Sequence, residues 1–596
     1  MNEKIIKTYQ AVIAELTFNT ALHVGTGRDN PGTDAPVRRN NAGDLVIPGT
    51  AIAGALRTLA TRLAPRMGMH ECIELSYEKK KNRQEDQICD CAVCRLFGEF
   101  YPNKKTKKTE KTRGNRASRL WIYDAKLTSK PTDTRPFVRD GVGIDRRTGT
   151  AASAAQVKFD TEVVPAGAKF ELLVEMEDVN DDDKMLLAAA LAEWQAGRAW
   201  LGGNTGRGLG NAKLDKIQFM ENDLSSGDKL LNYLKAGAPQ EAAIEKEGWL
   251  TSTAKAARDT AKPLAKEKAP PFIAASFELV FDGPFLMHDG TAATVVGFDH
   301  LPLLDAVPGF DEKPRPPIMA GSGLRGVLRS HAERIARTIA SFNAYKQDKD
   351  NAGKLFLASC PACNPLEESS ERPLTRCDKL ITDDKAKDNP NDEHLCLGCL
   401  LFGSTVRGSR LKVMDAKLEG EPRWKPLDFL AIDRFTGGGL EGAKFDAMAL
   451  WKPTFNVQLF LEEPEDWELG WLALVLRDMI DQRLTFGFGA AKGFGNAKAQ
   501  KIKIQCGFLR DDDWKDGDQH IDFSENEIKG ESDFGFYRVA KFTASDWEAH
   551  KNIVSKRVED FHDKLSKISR NDNALPKLAE DSYFGKVHEL YPLTEV

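Results

Sequence analysis

No stretch of this sequence approaches about eighteen consecutive apolar residues, so no membrane-spanning helix is expected. The opening MNEKIIKTYQ lacks the apolar core of a secretory signal, so secretion is not expected. A cytoplasmic location follows, where disulfides are disfavoured, and the ten cysteines need another reading. Charge of one sign is not in large excess. Lys and Arg number 84 and Asp and Glu 89, a net charge of -5, which argues against a protein that coats nucleic acid indiscriminately. A local basic groove remains open, because screening limits a charge's reach to roughly 8–10 Å. The glycine-rich segments GRGLGNAK (Gly206 to Lys213) and AKGFGNAK (Ala491 to Lys498) are not Walker motifs, and neither lies between a first strand and a helix as a dinucleotide fingerprint requires.

What is present is a repeat. RASRLWIYDAKL (Arg116 to Leu127) returns as RGSRLKVMDAKL (Arg407 to Leu418). CRLFG at Cys94 returns as CLLFG at Cys399, GIDRRTG at Gly143 as AIDRFTG at Ala431, and KFD at Lys158 again at Lys444. GRGLGNAK (Gly206 to Lys213) returns as AKGFGNAK (Ala491 to Lys498), and PGTAIAGALR (Pro48 to Arg57) loosely as AGSGLRGVLR (Ala320 to Arg329). The order is kept, and the offset drifts only between 272 (Arg57 to Arg329) and 305 (Cys94 to Cys399), as loop insertions around one scaffold would make it. That period is too long for a solenoid unit and implies one whole domain, duplicated and fused.

Within one copy, VIAELTF (Val12 to Phe18) alternates as a strand. Thr50 is placed to cap a helix with Ile52, Leu56, Leu59 and Leu63 on one stripe. Strands are expected at Arg119–Lys126 and Ala168–Met176, a helix starting at Asp182 and Asp183, and a last strand at Ala212–Phe219. The second half repeats this order with strands at 273–281, 411–418, 455–461 and 497–504 and helices at 322–339 and 467–483. The class is α+β: two tandem ferredoxin-like (RRM-like, β-α-β-β-α-β) domains. Boundaries fall at 1–220, a charged connector 221–270, 271–505, and a C-terminal helical extension 506–596 whose stretch Ser545 to Ile568 is an amphipathic docking or capping helix.

CPAC (Cys360, Cys363) and CLGC (Cys396, Cys399) are two knuckles suited to a tetrahedral zinc, with Cys377 and His394 as possible substitutes. The first copy has Cys89, Cys91 and Cys94, with His70 and Cys72 upstream to complete the set. Both clusters precede LFG, which favours structural zinc pinning an insertion, two ions in all. Cys506 stands alone as a core thiol. The glycine-rich segments allow close backbone approach to phosphate and carry Arg207, Lys213, Lys492 and Lys498. The helix after PGT carries Arg57, matched by Arg329, with Arg325 one turn earlier. Helix N-termini with arginines suit a nucleic-acid backbone, and as paired sets they suggest RNA.

This constellation resembles the RAMP superfamily of CRISPR-associated proteins, and within it the backbone subunit of type III effector complexes, in two fused copies over about residues 10–218 and 272–504. HVGTG (His23 to Gly27), the IPGT-helix-LR segment, the cysteine insertion before LFG, IDRRTG and GRGLGNAK carry the resemblance. It implies that the core grips guide RNA, that a long thumb hairpin wedges into the guide–target duplex, and that a loop aspartate beside each thumb cleaves target RNA with Mg2+ or another divalent cation. Carried over, that aspartate is Asp34 in GTDAPV and, more loosely, Asp299 in GFDHLPL, with Asp29, Asp289 and Asp305 as alternatives. The thumbs follow Asp145 and Asp433, with Arg146, Arg147 and Arg434 close to RNA. One aspartate suffices chemically, because RNA carries its own 2′-OH nucleophile. The partners implied are guide RNA, complementary target RNA and other subunits of the complex. A non-catalytic guide-binding scaffold is the second reading. A stand-alone guide-processing enzyme is the third, and it would use histidine as general base, with His23 and His288 as the histidines near the first loops.

Overall fold

The computed structural model describes residues 8–28, 32–70, 89–99, 116–129, 134–146, 149–151, 158–177, 179–236, 243–261, 270–289, 297–305, 315–358, 360–366, 374, 376–379, 395–509, 515–516, 519–520, 535–543 and 551–567. In chain order the first half runs β1 (Thr8–Phe18), α1 (Gly49–Arg66), α2 (Ala92–Phe97), β2 (Leu120–Ile122), β3 (Ala125–Leu127), β4 (Phe137–Val142), β5 (Lys158–Val163), β6 (Lys169–Glu177), α3 (Asp181–Gln195) and β7 (Asn211–Asp223). The connector holds α4 (Gly227–Lys235) and α5 (Trp249–Asp259). The second half runs β8 (Phe272–Phe281), α6 (Gly321–Gln347), α7 (Leu397–Phe402), β9 (Leu411–Val413), β10 (Ala416–Leu418), β11 (Trp424–Ile432), β12 (Gly439–Trp451), β13 (Thr454–Glu462), α8 (Asp466–Ile480) and β14 (Ala497–Phe508). β15 (Arg538–Thr543) and α9 (Lys551–Ser566) follow.

Two antiparallel sheets have the same order. In the first, β1 lies between β7 and β6, and β6 pairs with β2 and β3. In the second, β8 lies between β14 and β13, and β13 pairs with β9 and β10. With two helices packed on each sheet, this is compatible with a ferredoxin-like arrangement. The sheets even share a defect. The register of β1 with β7 slips between Ile13 and Glu15, and that of β8 with β14 between Ser276 and Glu278. The bulge places a lysine in the left-handed region both times, Lys216 and Lys501 at φ 52°. Each lysine pairs with the glutamate opposite, Glu15 at 3.3 Å and Glu278 at 2.7 Å.

Alternation explains the cores. Val12, Ala14, Leu16 and Phe18 are buried on one face of β1, packed in one cluster with Ile52, Leu56 and Leu63 of α1 and Leu187, Leu191 and Trp194 of α3. Leu279, Phe455, Leu328 and Trp471 do the same in the second half. The starts of the helices differ from expectation. Thr50 does not cap α1: the cap position is Pro48, whose side chain has no hydrogen-bond acceptor to offer. The helix is capped from a distance, by the Asp124 carboxylate accepting the Gly49 N–H at 2.8 Å. Asp415 does this for Gly321 of α6, also at 2.8 Å. The strand expected over Arg119–Lys126 is broken at Tyr123 and Asp124, which frees the aspartate to turn toward the helix. The repeated DAKL is thus a capping device. Asn180, two or three residues before the expected start, caps α3 by accepting the Asp183 N–H.

The connector belongs to the first core. Leu250, Ala254 and Ala257 of α5 are buried there, and Trp249 stacks on Phe219 at 4.0 Å between ring centroids. The tail spans both halves. β15 extends the second sheet beside β14, Phe561 of α9 stacks on Trp471, and Phe536 and Tyr537 enter the first core, where Glu193 accepts both backbone N–H groups. Phe272 and Phe460 of the second half also lie in the first core. Among the described residues no helix is long and apolar enough to cross a membrane.

Candidate functional site

Asp34 sits on the exposed loop after β1, against β5. Its carboxylate accepts the Asp160 N–H at 3.0 Å, while Asp160 accepts the Asp34 N–H at 2.6 Å and the Thr33 hydroxyl at 2.9 Å. In the second half Asp299 accepts the Asp446 N–H at 2.9 Å, and Asp446 accepts the Asp299 N–H at 2.8 Å. The next residue makes a parallel bridge each time, Ala35 to Thr161 and His300 to Ala447. The two loops are therefore the same structure, despite the looser sequence match at Asp299. Asp160 and Asp446 are the aspartates of the repeated KFD. Each candidate aspartate commits one oxygen to the backbone; among the described residues the other has no hydrogen bond. Asp305 is a poor alternative because it is buried and bonds Arg139 at 3.3 Å. Asp289 holds the loop through its backbone N–H to Leu301, and Asp29 lies outside the described residues.

Each glycine-rich turn sets a cation over the phenylalanine of KFD. Arg207 lies over the ring of Phe159, 5.6 Å from its centroid, and Lys492 over Phe445 at 4.3 Å. Both phenylalanines are the middle residue of KFD. Each half thus has a loop aspartate bonded to the aspartate of a KFD strand segment, whose phenylalanine carries the basic residue of a glycine-rich turn. His300 is a further histidine at the second loop, beyond His23 and His288, and its adjacency to Asp299 in the chain marks it. Its ring meets His288 edge-on at 4.8 Å, and burial and His288 hold it below its ordinary pKa. The equivalent positions of the first half are Ala35 and Gly25, so the two sites are chemically unlike.

The remaining cations divide. Arg146 reaches across the seam to Glu333 at 3.0 Å. Arg325 is packed beside Arg329, Arg207 and Arg146, and burial and these neighbours push it down to about 9. Its Nε is buried and, among the described residues, has no hydrogen-bond partner. Arg329 does not face a ligand. It is 7% exposed, bonds Glu333 at 2.7 Å and Gly403 O at 3.0 Å, and points at the Cys399 thiol at 3.6 Å. Its counterpart Arg57 points at Cys94 at 4.0 Å. The expected RNA contact at Arg329 is corrected to an internal one, because helix periodicity turns this residue toward the cysteines. Lys213 pairs with Asp215 at 3.2 Å, Lys498 is exposed on β14, Arg434 is exposed at the tip of the β11–β12 hairpin, and Arg147 lies outside the described residues.

Four buried thiols converge in the second half: Cys363, Cys377, Cys396 and Cys399. Cys360, expected in the quartet, packs with Ala340, Ala344, Phe356 and Leu357, and its thiol donates to Ala362 O at 3.2 Å. The four sulfurs lie within 4.8 Å of one another, Cys363 and Cys399 at 3.6 Å. Tetrahedral thiolates about 2.3 Å from an ion stand about 3.8 Å apart, so the set fits a metal. Backbone N–H groups of Cys363, Cys396 and Cys399 donate to neighbouring sulfurs at 3.4 Å, as knuckles do. The Cys399 thiol resists ionisation: hydrogen bonding to Cys363, Cys377 and Cys396, and burial, push it far up. In the first half Cys89, Cys91 and Cys94 converge. Cys72 and His394 lie outside the described residues, and His70 is exposed outside the cluster.

A family model described as RAMP superfamily matches residues 15–213 and 282–498, well over half of the chain and once in each half. The chain belongs to the RAMP superfamily. The matched spans run from the candidate loops to the ends of the glycine-rich segments, so every element of both sites falls inside them. Among curated proteins the chain is similar to one described as CRISPR system Cms endoribonuclease Csm3, from Methanocaldococcus jannaschii. The two are 25% identical over 213 residues, 34% of this RAMP chain and 78% of that protein. The length aligned is that of a single half.

Proposed function

We propose that this RAMP protein is a subunit of a type III CRISPR ribonucleoprotein, formed from two fused backbone units, that binds guide RNA and cleaves complementary target RNA once per unit. The observation that carries the proposal is the reciprocal hydrogen bonding of Asp34 with Asp160 and of Asp299 with Asp446, where the residue before Asp160 or Asp446 is a phenylalanine under the cation of a glycine-rich turn. Asp34 and Asp299 are held at fixed positions by β5 and β12, on the strands of the hairpins. Arg207 and Lys492 bring positive charge to where a scissile phosphate would lie. The target's own 2′-OH attacks the adjacent phosphorus, and the 5′-oxygen leaves. A divalent cation, Mg2+ or another, held by Asp34 or Asp299, would stabilise charge on the phosphate. The arginines at the seam, with the unpartnered Arg325 Nε, suit the guide backbone, which makes binding electrostatic and insensitive to sequence. The cysteine sets, Cys363, Cys377, Cys396 and Cys399 above all, would hold zinc that pins the insertions and takes no part in cleavage. The complex would act in the cytoplasm.

The test is a cleavage map on a matched target with the assembled complex. Two cuts at a fixed separation are expected. Asp34→Ala should erase one and Asp299→Ala the other, each by 100-fold or more, as about 10²–10⁴ is usual for a lost catalytic group. Asp160→Ala should weaken the first cut less severely, because it only positions Asp34. Guide and target binding should persist in all three. An unchanged pattern in the Asp34→Ala/Asp299→Ala double variant would make this chain a scaffold and place the chemistry in another subunit.

A further inference from the structure

The two sheets differ on the face turned away from their helices, and the shared bulge sets the correspondence between them. In the first sheet Ile13 lies opposite Leu173 and Gln218, and Glu15 opposite Glu171 and Asp215. In the second, Ser276 lies opposite Gln458 and Lys503, and Glu278 opposite Asn456 and Gln500. The first face is partly covered: Leu173 and Tyr233 of α4 pack against the buried Tyr9 and Ala11. Its charges are matched. Lys169 and Lys216 pair with Glu15 at 2.9 and 3.3 Å, and Lys213 with Asp215 at 3.2 Å. On the second face the amides Asn456 and Gln500 stand where the first has Glu171 and Asp215, and the polar Ser276 and Gln458 where it has Ile13 and Leu173. Lys417 beside Asn456 and Lys498 beside Val280 lie on the same face. Lys501 pairs with Glu278 at 2.7 Å. Lys417, Lys498 and Lys503 are exposed and, among the described residues, make no hydrogen bond or ion pair through their side chains.

A cavity of about 560 Å³ stands over this second face, walled on one side by Asn19, Thr20 and Asn211 of the first half. Ligand sites have that size, roughly 300–1,000 Å³. Asp415 at its edge is already paired with Arg139 at 2.5 Å. Of the apolar lining, Phe277 and Val457 belong to the second core, and Met414 packs against the first. The floor therefore lacks the aromatic or aliphatic anchor on which a protein interface centres. It offers ammonium groups around the side-chain amides of Asn456 and Gln458, which have no hydrogen bond among the described residues. Such groups suit phosphates, ribose hydroxyls and base edges. No ring lies on the floor for a base to stack on, so phosphate contacts dominate. Lys498 closes the glycine-rich segment that carries Lys492, so the face begins where that segment ends.

We propose that this face is a second RNA site, which holds a single-stranded stretch of the target beyond its pairing with the guide. The identity of the strand rests on the guide-directed reading above, whereas the binding of single-stranded RNA by this face does not. The target is favoured over the guide by position. Arg146, Arg207 and Arg325, the cations suited to the guide, gather at the start of α6, and α6 packs on the opposite side of the same sheet.

Photocrosslinking of an oligouridine carrying thiouridine to the full chain, without guide, tests the site. Crosslinks are expected in the peptides that hold Gln458 and Lys503. Lys417→Gln/Lys503→Gln should remove them, and the slope of log affinity against log salt should flatten by about two, one for each lysine. Lys417→Arg/Lys503→Arg should keep both. The two lysines are exposed, so the variants should fold, which an unchanged melting temperature checks. A guide-loaded complex then identifies the strand. A matched target with unpaired flanks should bind roughly tenfold tighter than one without, and the glutamine pair should abolish that advantage and leave the flankless target unchanged. No crosslink on this face of the free chain, or one indifferent to the glutamines, overturns the site. Crosslinks from a labelled guide and not from a labelled flank overturn the assignment to target. Loss of a neighbouring subunit from the glutamine variant's complex, with the RNA crosslinks intact, would mark a protein face and overturn the proposal. The free-chain crosslink is read without cleavage, so failure of this inference and failure of the nuclease assignment are separate results.

Discussion

Cys377 lies 14 residues beyond Cys363 in the chain and completes a quartet that its spacing does not advertise. A zinc ion needs four sulfurs at tetrahedral distances, and Cys360 spends its thiol on Ala362 O. Elemental analysis of protein prepared without chelators should find about two zinc ions per chain. Cys377→Ser should lower this to about one and Cys360→Ser should leave it unchanged; the reverse result would restore the two-knuckle quartet. Glu468 is a second residue with a measurable signature. It is buried at the start of α8, and burial pushes its carboxyl from 4.5 up to about 7 against the opposing pull of Arg410. The folded state holds this proton more tightly than the unfolded chain does. The resulting stability is present in full below 4.5 and is lost as pH rises through 7. Thermal unfolding between those pH values should therefore show the wild-type chain losing up to about 3 kcal/mol relative to Glu468→Gln. A constant difference between the two would contradict the assignment.

At the scale of elements, close approach governs how the tail docks. Gly470 lies on the face of α8 that α9 covers, and an added Cβ there would stand 1.9 Å from the carbonyl oxygen of Arg557. The flexible end of a side chain can step aside, but a backbone carbonyl cannot. Gly470→Ala should displace α9, expose Phe561 and alter the fluorescence of Trp471, on which that ring stacks. Destabilisation of about 1–3 kcal/mol is expected, typical of overpacking, and unchanged fluorescence and melting would show that α9 docks elsewhere. The helix starts have a similar logic. Asp124 and Asp415 satisfy helix N–H groups from a neighbouring strand, so each helix is tied to its sheet at the end where the candidate site lies.

At the scale of the molecule, the first core extends beyond its own half. Phe272, Phe460 and Tyr537 enter it from the second half and the tail. Arg62 and Arg66 of α1 reach Glu462 and Glu463 at 2.9 and 3.3 Å. The halves are thereby held at one orientation and not strung on a flexible linker, and the connector helix α5 is part of the joint. A fixed orientation is what a fixed separation of two cuts requires. Arg139 is paired with Asp415 and Asp305, and Glu333 with Arg146 and Arg329, so removing one partner of either set would strand a buried charge.

Much of this was legible in the chain itself. Alternation and helical stripes located β1, α1, α3 and their partners, because burial on one face imposes a period that survives in sequence. The repeated KFD, DAKL and glycine-rich segments pointed to paired elements, and the loop aspartates Asp34 and Asp299 fell at equivalent positions. The tertiary structure alone decided what those motifs touch. Thr50 yielded the cap to an aspartate 75 residues away from Gly49, Cys377 displaced Cys360, and Arg329 turned inward to the thiols and Glu333. Each outcome depends on which side chains arrive from distant parts of the chain. A sequence records periodicity, which is local, while hydrogen bonds, thiolate geometry and ion pairs at a seam depend on distances of a few ångströms that only the packed molecule defines.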